Sequence, residues 1–337
     1  MQFSFSVFPK EAASEFLSSA QRAERAGIDH LWVVDDTGYA DPFVLLGALT
    51  SATAHIGLGA VLVDPWVRHP MHIAQAAAVL SDLRHDRIVV GLGPASPRAH
   101  RQMGISPADD RDQLRSAVAV LRALWAGETV SCQTPAYRLD RASLKLLPSQ
   151  PVEVHVTAAD ADAVRLAGEI ADGVVVANVA TPEAVRTIRG WIAEGAKRVG
   201  RDPTTVRLVA WSLVLSADDT GPIYGSTRRY LARQVANFDS ETADMHGIEA
   251  ETVNAVRARL SERGAEVDTD ILPNSVLDRL LVVGSAASCL DRIYALETAG
   301  LDLIGIRPCA DLSTRFDYDE MVLSLWSELE SRRRGDA

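Results

Sequence analysis

Residues Ile56–Pro97, IGLGAVLVDPWVRHPMHIAQAAAVLSDLRHDRIVVGLGPASP, read as strand, loop, helix, strand and loop. IGLGAVLV is a short apolar run closed by Asp64-Pro65. MHIAQAAAVLSDL has apolar residues at helical spacing behind Pro70, and RIVVGLG is a second apolar run ending on glycines. Two continuous apolar strands joined by a crossover helix form a buried parallel βαβ unit.

The same unit recurs on both sides of this stretch. Upstream, Gln2–Phe8 is a strand closed by Pro9, Glu11 to Ala26 is an amphipathic helix stopped by Gly27, and His30–Asp36 is a second strand. Asp41-Pro42 forms an N-cap and N1 pair for FVLLGALTSAT. Downstream come the helix RDQLRSAVAVLRALWAG and a hairpin within TVSCQTPAYRL. Strands are expected at Val152–Ala158, Gly173–Val179, Thr205–Ser216 and Leu301–Pro308, with helices between them. A helical stretch from Gly221 to Leu281 is too long for one crossover and reads as an insertion, with bounds of about 217–281. Eight strand–helix repeats predict an α/β chain of the (β/α)8 TIM-barrel type, with the helical insertion between strands 7 and 8 and residues 1–337 forming one domain. A doubly wound open sheet gives the same local signals, but eight repeats in this length favour the barrel.

Composition narrows the function classes. A net charge of −11 argues against nucleic acid or an anionic membrane as the main partner. No apolar run approaches the ~20 residues a membrane span needs. The N-terminus, MQFSFSVFPKEAASEF, lacks the basic and apolar regions of a signal peptide. Cys132, Cys289 and Cys309 follow no ligand or disulfide spacing, so a cytoplasmic protein with no metal site is expected. His69, His72, His85 and His100 are scattered in or near helices and read mainly as surface or capping residues.

In either fold the chemistry belongs at the C-terminal ends of the strands. These ends include Ser6, Asp35-Asp36, Leu62–Asp64, Gly93–Ser96, Thr157–Asp160, Asn178–Thr181, Trp211 and Arg307. GLGPASP does not match the dinucleotide fingerprint, and there is no P-loop, zinc-protease motif or nucleophile elbow. Three features stand out. Side chains alternate, so one of Asp35 and Asp36 points inward, where it accepts a hydrogen bond or handles protons. Thr157, Ala158 and Ala159 precede a helix whose N-terminal N–H groups suit a phosphate, which Asp160 opposes unless it caps that helix. The small residues of Gly59–Leu62 leave room for a flat group, although core packing accounts for them equally well.

Five stretches in order, AERAGIDHLWVVDD, IGLGAVLVDPWVRHP, RIVVGLGP, AGEIADGVVVAN and LLVVGSAASCLDRIYALETAGLD, resemble the bacterial luciferase-like family of flavin and deazaflavin oxidoreductases. The similarity is closest to the branch with methylenetetrahydromethanopterin reductase and other users of coenzyme F420. The resemblance implies a cofactor across the C-terminal mouth and a strand-three bulge with a non-proline cis peptide, which maps to Val61–Leu62. It puts Asp35 at the ring, Thr157, Ala158 and Ala159 at the phosphate of the cofactor tail, and Asn178, Val179, Ala180 and Thr181 beside tail and substrate. A homodimer is implied as well.

The departures from the family are local. Asp35-Asp36 stands where many deazaflavin enzymes have Asp-His, Ser96 where some have an acid, and Ser6 where a buried Glu is common. The phosphate turn lacks the customary glycines. The expectation is an F420-dependent oxidoreductase of specialised metabolism that passes a hydride to a small substrate with a C=N or activated C=C bond. Asp36, or water held by Ser96, supplies the proton, while Ser6, Trp211 and Arg307 face the substrate, with Arg307 taking either an anionic substrate group or a surface ion-pair partner. The alternatives are an FMN-dependent monooxygenase and a cofactor-free binding or scaffold protein on the same barrel.

Overall fold

The computed structural model describes residues 1–9, 12–84, 87–94, 96–106, 110–217, 219–263, 272–306 and 318–334. In chain order, β1 (Gln2–Val7), α1 (Ala13–Arg25), β2 (His30–Val34), α2 (Pro42–Ala52), β3 (Gly57–Val63), α3 (Pro70–Leu83) and β4 (Ile88–Leu92) make the first half-barrel. Next come α4 (Pro97–Met103), α5 (Asp110–Trp125) and the antiparallel hairpin β5 (Val130–Gln133) and β6 (Arg138–Ala142). The barrel resumes with β7 (Val152–Ala158), α6 (Ala161–Ile170), β8 (Gly173–Ala177), α7 (Pro182–Arg198) and β9 (Arg207–Ser212). Beyond it lie β10 (Val214–Ser216), α8 (Gly221–Val235), α9 (Ser240–His246), α10 (Ala250–Arg263), α11 (Asn274–Leu280) and β11 (Val282–Gly284). The chain returns through α12 (Ala286–Thr298) to β12 (Leu303–Ile306) and α13 (Tyr318–Arg334).

Eight parallel strands close in the order β1-β2-β3-β4-β7-β8-β9-β12, with β12 pairing back onto β1. This is the expected (β/α)8 barrel. The strands read as unbroken apolar runs because both faces are covered. On β1, Phe3 and Phe5 pack outward into the layer of helices, Phe3 lying 4.9 Å from the Trp326 ring. Ser4 and Ser6 alternate with them and are buried. A second cluster, Trp32, Val34, Val61, Val89, Val175, Val209, Trp211 and Leu303, fills the interior of the barrel. Two indoles in so narrow a space need gaps opposite them. A Cβ on Gly59 would lie 2.7 Å from Cδ1 of Trp32, so packing is what requires this glycine.

The run Thr205–Ser216 is one strand by composition but two in the structure. β9 stays in the barrel, while β10 leaves it and pairs in parallel with β11, matching Val214, Leu215 and Ser216 to Val282, Val283 and Gly284. Twelve residues would extend for about 40 Å, twice the usual strand length. The break at Leu213 therefore lets a two-stranded ribbon tie together the chain entering and leaving helices α8–α11. Among the described residues no helix is long and apolar enough to cross a membrane.

At the N-terminal end the barrel is closed by polar side chains. His155 is fully buried, sits edge-on to Trp32 at 5.9 Å, and meets Glu153 Oε2 at 3.1 Å. Arg87 and Arg207 flank Glu153 at 3.3 and 3.7 Å. Gln2 accepts from Arg207 and lies 3.4 Å from His30 Nε2. Burial, aided by the charges of Arg207 and Arg87, drives the His30 pKa from 6.5 down to about 3. Burial alone takes that of His246 in α9 to about 4. Both rings are neutral in the folded chain while their unfolded counterparts gain protons below 6.5, so stability falls as pH drops through that window. Acidification from about pH 6.5 to 5 is expected to cost up to ~2 kcal/mol per histidine. Urea midpoints across this range check it, and His246→Leu should flatten the slope.

Candidate active site

The ends of β2 and β3, with the turns that follow, border an open cleft of about 470 Å³ at the C-terminal mouth. Asp35, Asp36, Thr37, Leu62, Asp64, Val67 and Met103 line it. Its shape follows from a bulge in β3. Ala60 pairs with Val90 but Val63 pairs with Leu92, so Val61 and Leu62 together oppose Gly91. The carbonyl of Val61 accepts from Asp35 N at 2.8 Å, and that of Val63 from Gly93 N at 3.1 Å. A Cβ on Gly91 would press within 3.0 Å of Val61 Cγ1, so glycine there makes room for the extra residue. Leu62 adopts φ +60°, a left-handed conformation costing a non-glycine residue about 1–2 kcal/mol. The bulge expected from the family resemblance is present, but the expected cis bond is not: no cis peptide occurs among the described residues, and the left-handed Leu62 makes the turn instead.

Asp35 is committed to an ion pair. Arg68 donates from Nε to Asp35 Oδ2 at 3.0 Å and from Nη2 to Asp35 Oδ1 at 3.2 Å. The same Nη2 reaches Asp41 Oδ2 at 2.9 Å, and the guanidinium lies 5.1 Å over the Phe43 ring. Asp41 in turn caps α2, accepting from Phe43 N and Val44 N. One arginine thus ties together the turns after β2 and β3 and the start of α2. Burial raises the Asp35 pKa; Arg68 opposes the rise without cancelling it, and Asp41 and Asp64 add to it. Asp36, which also lines the cleft, accepts from Thr37 N at 2.8 Å.

Deeper in the cleft, Asp64 is 2% exposed. Its Oδ1 accepts from Trp66 N at 2.7 Å, and its Oδ2 meets His100 Nε2 at 2.5 Å. His100, in α4, is 6% exposed. Nothing in its neighbourhood singles it out among the scattered histidines, whereas His69 is the capping residue its position suggested, accepting from Met71 N. Ser96 is the N-cap of α4 and accepts from Ala99 N at 3.2 Å.

The remaining candidates lie elsewhere around the mouth. Trp211 stacks on Phe8 at 6.1 Å, and Ser6 is buried on the inner face of β1. Thr157 packs against Gly93, Ala158 is buried among the helices, and Ala159 is exposed. Asn178 takes φ +60° and donates through its N–H to the Trp211 carbonyl at 3.1 Å. Val179 and Ala180 are buried in the outer core, and Thr181 caps α7. Asp160 does cap α6, accepting from Ala163 N at 2.8 Å, and Arg111 Nη2 lies 3.0 Å from both its oxygens. Arg307 lies outside the described residues. No group of three His, Cys, Asp or Glu side chains among the described residues is placed to hold a metal.

The profile of the luciferase-like monooxygenase family matches residues 1–303. The chain is 26% identical over 309 residues to a 5,10-methylenetetrahydromethanopterin reductase of Methanolobus tindarius, covering 90% of this chain and 93% of that one. It is 31% identical over 201 residues to an F420-dependent glucose-6-phosphate dehydrogenase of Nakamurella multipartita, covering 56% and 59%. The solved structure of the coenzyme F420-dependent tetrahydromethanopterin reductase of Methanopyrus kandleri superposes with a TM-score of 0.81 at 20% identity, covering 97% of each chain.

The Asp35–Arg68 pair yields a direct test. Arg68→Met leaves a half-buried carboxylate without its counter-ion and should cost about 1–3 kcal/mol at pH 8. The Asp35 pKa then rises further, so protonation relieves the penalty and the loss shrinks at lower pH. Urea melts at pH 8 and 5 check this; an equal loss at both would mean that Arg68 acts through packing alone.

Proposed function

The chain belongs to the luciferase-like monooxygenase family, and from that premise we propose that it is an F420-dependent oxidoreductase. In this reading it transfers a hydride between the reduced deazaflavin and a small organic substrate carrying a C=N or activated C=C bond. The observation that carries the proposal is the β3 bulge, whose left-handed Leu62 lines the open cleft at the barrel mouth.

The residues present suit a flat ring held against backbone. The bulge is anchored by Asp35 N and Gly93 N on its two sides, so it does not yield when pressed. Arg68 and Asp35 set the cleft's edge, and Leu62, Val67 and Met103 give it apolar surface. At the tail end, a phosphate near the start of α6 would share Arg111 with Asp160. When bound, the reduced deazaflavin supplies the hydride. The chain's own part is to orient the substrate over the cleft and exclude water, so that much of the acceleration comes from placement. A second reading, FMN-dependent oxygenation, is favoured by the family's description as monooxygenases.

Side-by-side fluorescence titrations with oxidised F420 and FMN separate these readings. Stopped-flow oxidation of reduced F420 by a panel of cyclic imines and enones then tests the activity. Micromolar binding of F420, weak binding of FMN and turnover of at least one acceptor are the expected results. Tight FMN binding would move the assignment to oxygen chemistry. Binding of neither would leave a barrel that has lost its cofactor.

A further inference from the structure

Reducing a C=N or polarised C=C bond takes a proton as well as a hydride. The hydride forms the new C–H bond, the π electrons move to the far atom, and a proton must arrive there. Asp36 lines the cleft and accepts from the N–H of its own turn, and Ser96 caps α4. Resting on the functional reading above, we propose that His100 donates this proton, with Asp64 as the positioning carboxylate that holds its ring.

Asp64 is fully engaged in orienting, one oxygen on Trp66 N and the other on His100 Nε2. A buried carboxylate held in this way fixes the orientation and tautomer of the imidazole, with the Nε2–H directed at it. The nitrogen left to exchange with substrate is Nδ1, because Nε2 is the one that meets Asp64. His100 and Met103 are three residues apart on α4 and therefore share a face, and Met103 lines the cleft together with Asp64. The cap at Ser96 aims that face, because His100 N donates back to the Ser96 carbonyl at 3.1 Å.

In the step itself, the Nδ1–H bond of the imidazolium breaks and its electrons stay on the ring as neutral imidazole. A new N–H or C–H bond forms on the substrate atom that received the π electrons. The substrate gains two electrons from the reduced deazaflavin, which is oxidised by two, and the ring regains its proton from solvent.

Long-range proton–nitrogen NMR of the histidine rings, with oxidised F420 titrated in, tests the placement. The F420 titration should move the Leu62 amide and the His100 ring together. In Asp64→Asn the amide donates where the carboxylate accepted, so the neutral ring's proton should shift to Nδ1. His100→Gln should bind F420 within about two-fold of wild type. For any panel acceptor that the wild type reduces, it should lose about 10²-fold in kcat, in line with general-acid catalysis. If F420 moves Leu62 but not the His100 ring, or if His100→Gln keeps its kcat, the proposal falls and the functional reading stands. If F420 binds nowhere, or the wild type reduces no acceptor, that reading falls and the proposal falls with it.

Discussion

The site depends on one extra residue in β3. Before the bulge the strand alternates normally, with Val61 facing the barrel interior and Ala60 facing the helices. After it Val63 faces the helices, where uninterrupted alternation would have turned it inward. A shift of one residue exchanges the faces of everything that follows. This exchange turns Asp64 towards the mouth, where it lines the cleft and meets His100. The strain at Leu62 is held in place by hydrogen bonds from Asp35 N and Gly93 N and by the missing side chain at Gly91. Neighbouring strands therefore determine a conformation that the bulge would not adopt by itself.

The two ends of the barrel divide the remaining work. At the N-terminal end, His30, His155, Glu153, Arg87 and Arg207 form a polar layer beneath Trp32, in which both histidines are buried. Above that layer the two indoles and the valines pack the barrel interior. At the mouth, turns carry the polar groups and a rigid frame positions them.

Much of this was legible in the sequence because it is local. Apolar runs such as HLWVV and VEVHVTA identify barrel strands, and Asp41-Pro42 behaves as a helix start. The features that were missed depend on distant partners. Asp64 and His100 are 36 residues apart, and nothing in either neighbourhood announces the other. The break at Leu213 is set by Val282–Gly284, almost seventy residues on, and composition alone cannot show it. Gly59 was ambiguous for the same reason: only the position of Trp32 decides between a ligand gap and a packing gap. The bulge was anticipated through family resemblance, and local pattern gave no sign of it.

The start of α6 shows how a small change shifts the burden of recognition. A bare helix N-terminus favours an anion through its free N–H groups and its dipole. Here Asp160 already supplies the negative charge on Ala163 N, and Arg111 neutralises it. The Arg111–Asp160 pair is about half exposed on its arginine side, and such pairs contribute ~0–1 kcal/mol, so Arg111 turns to an incoming phosphate at little cost. Asp160 does not leave, however, because its carboxylate caps the helix. A phosphate there gains one guanidinium but meets one carboxylate, and the net attraction is smaller than at an uncapped terminus. For the cofactor proposed above, recognition would then fall more heavily on the ring end, at the bulge, the Asp35–Arg68 pair and the apolar floor of the cleft.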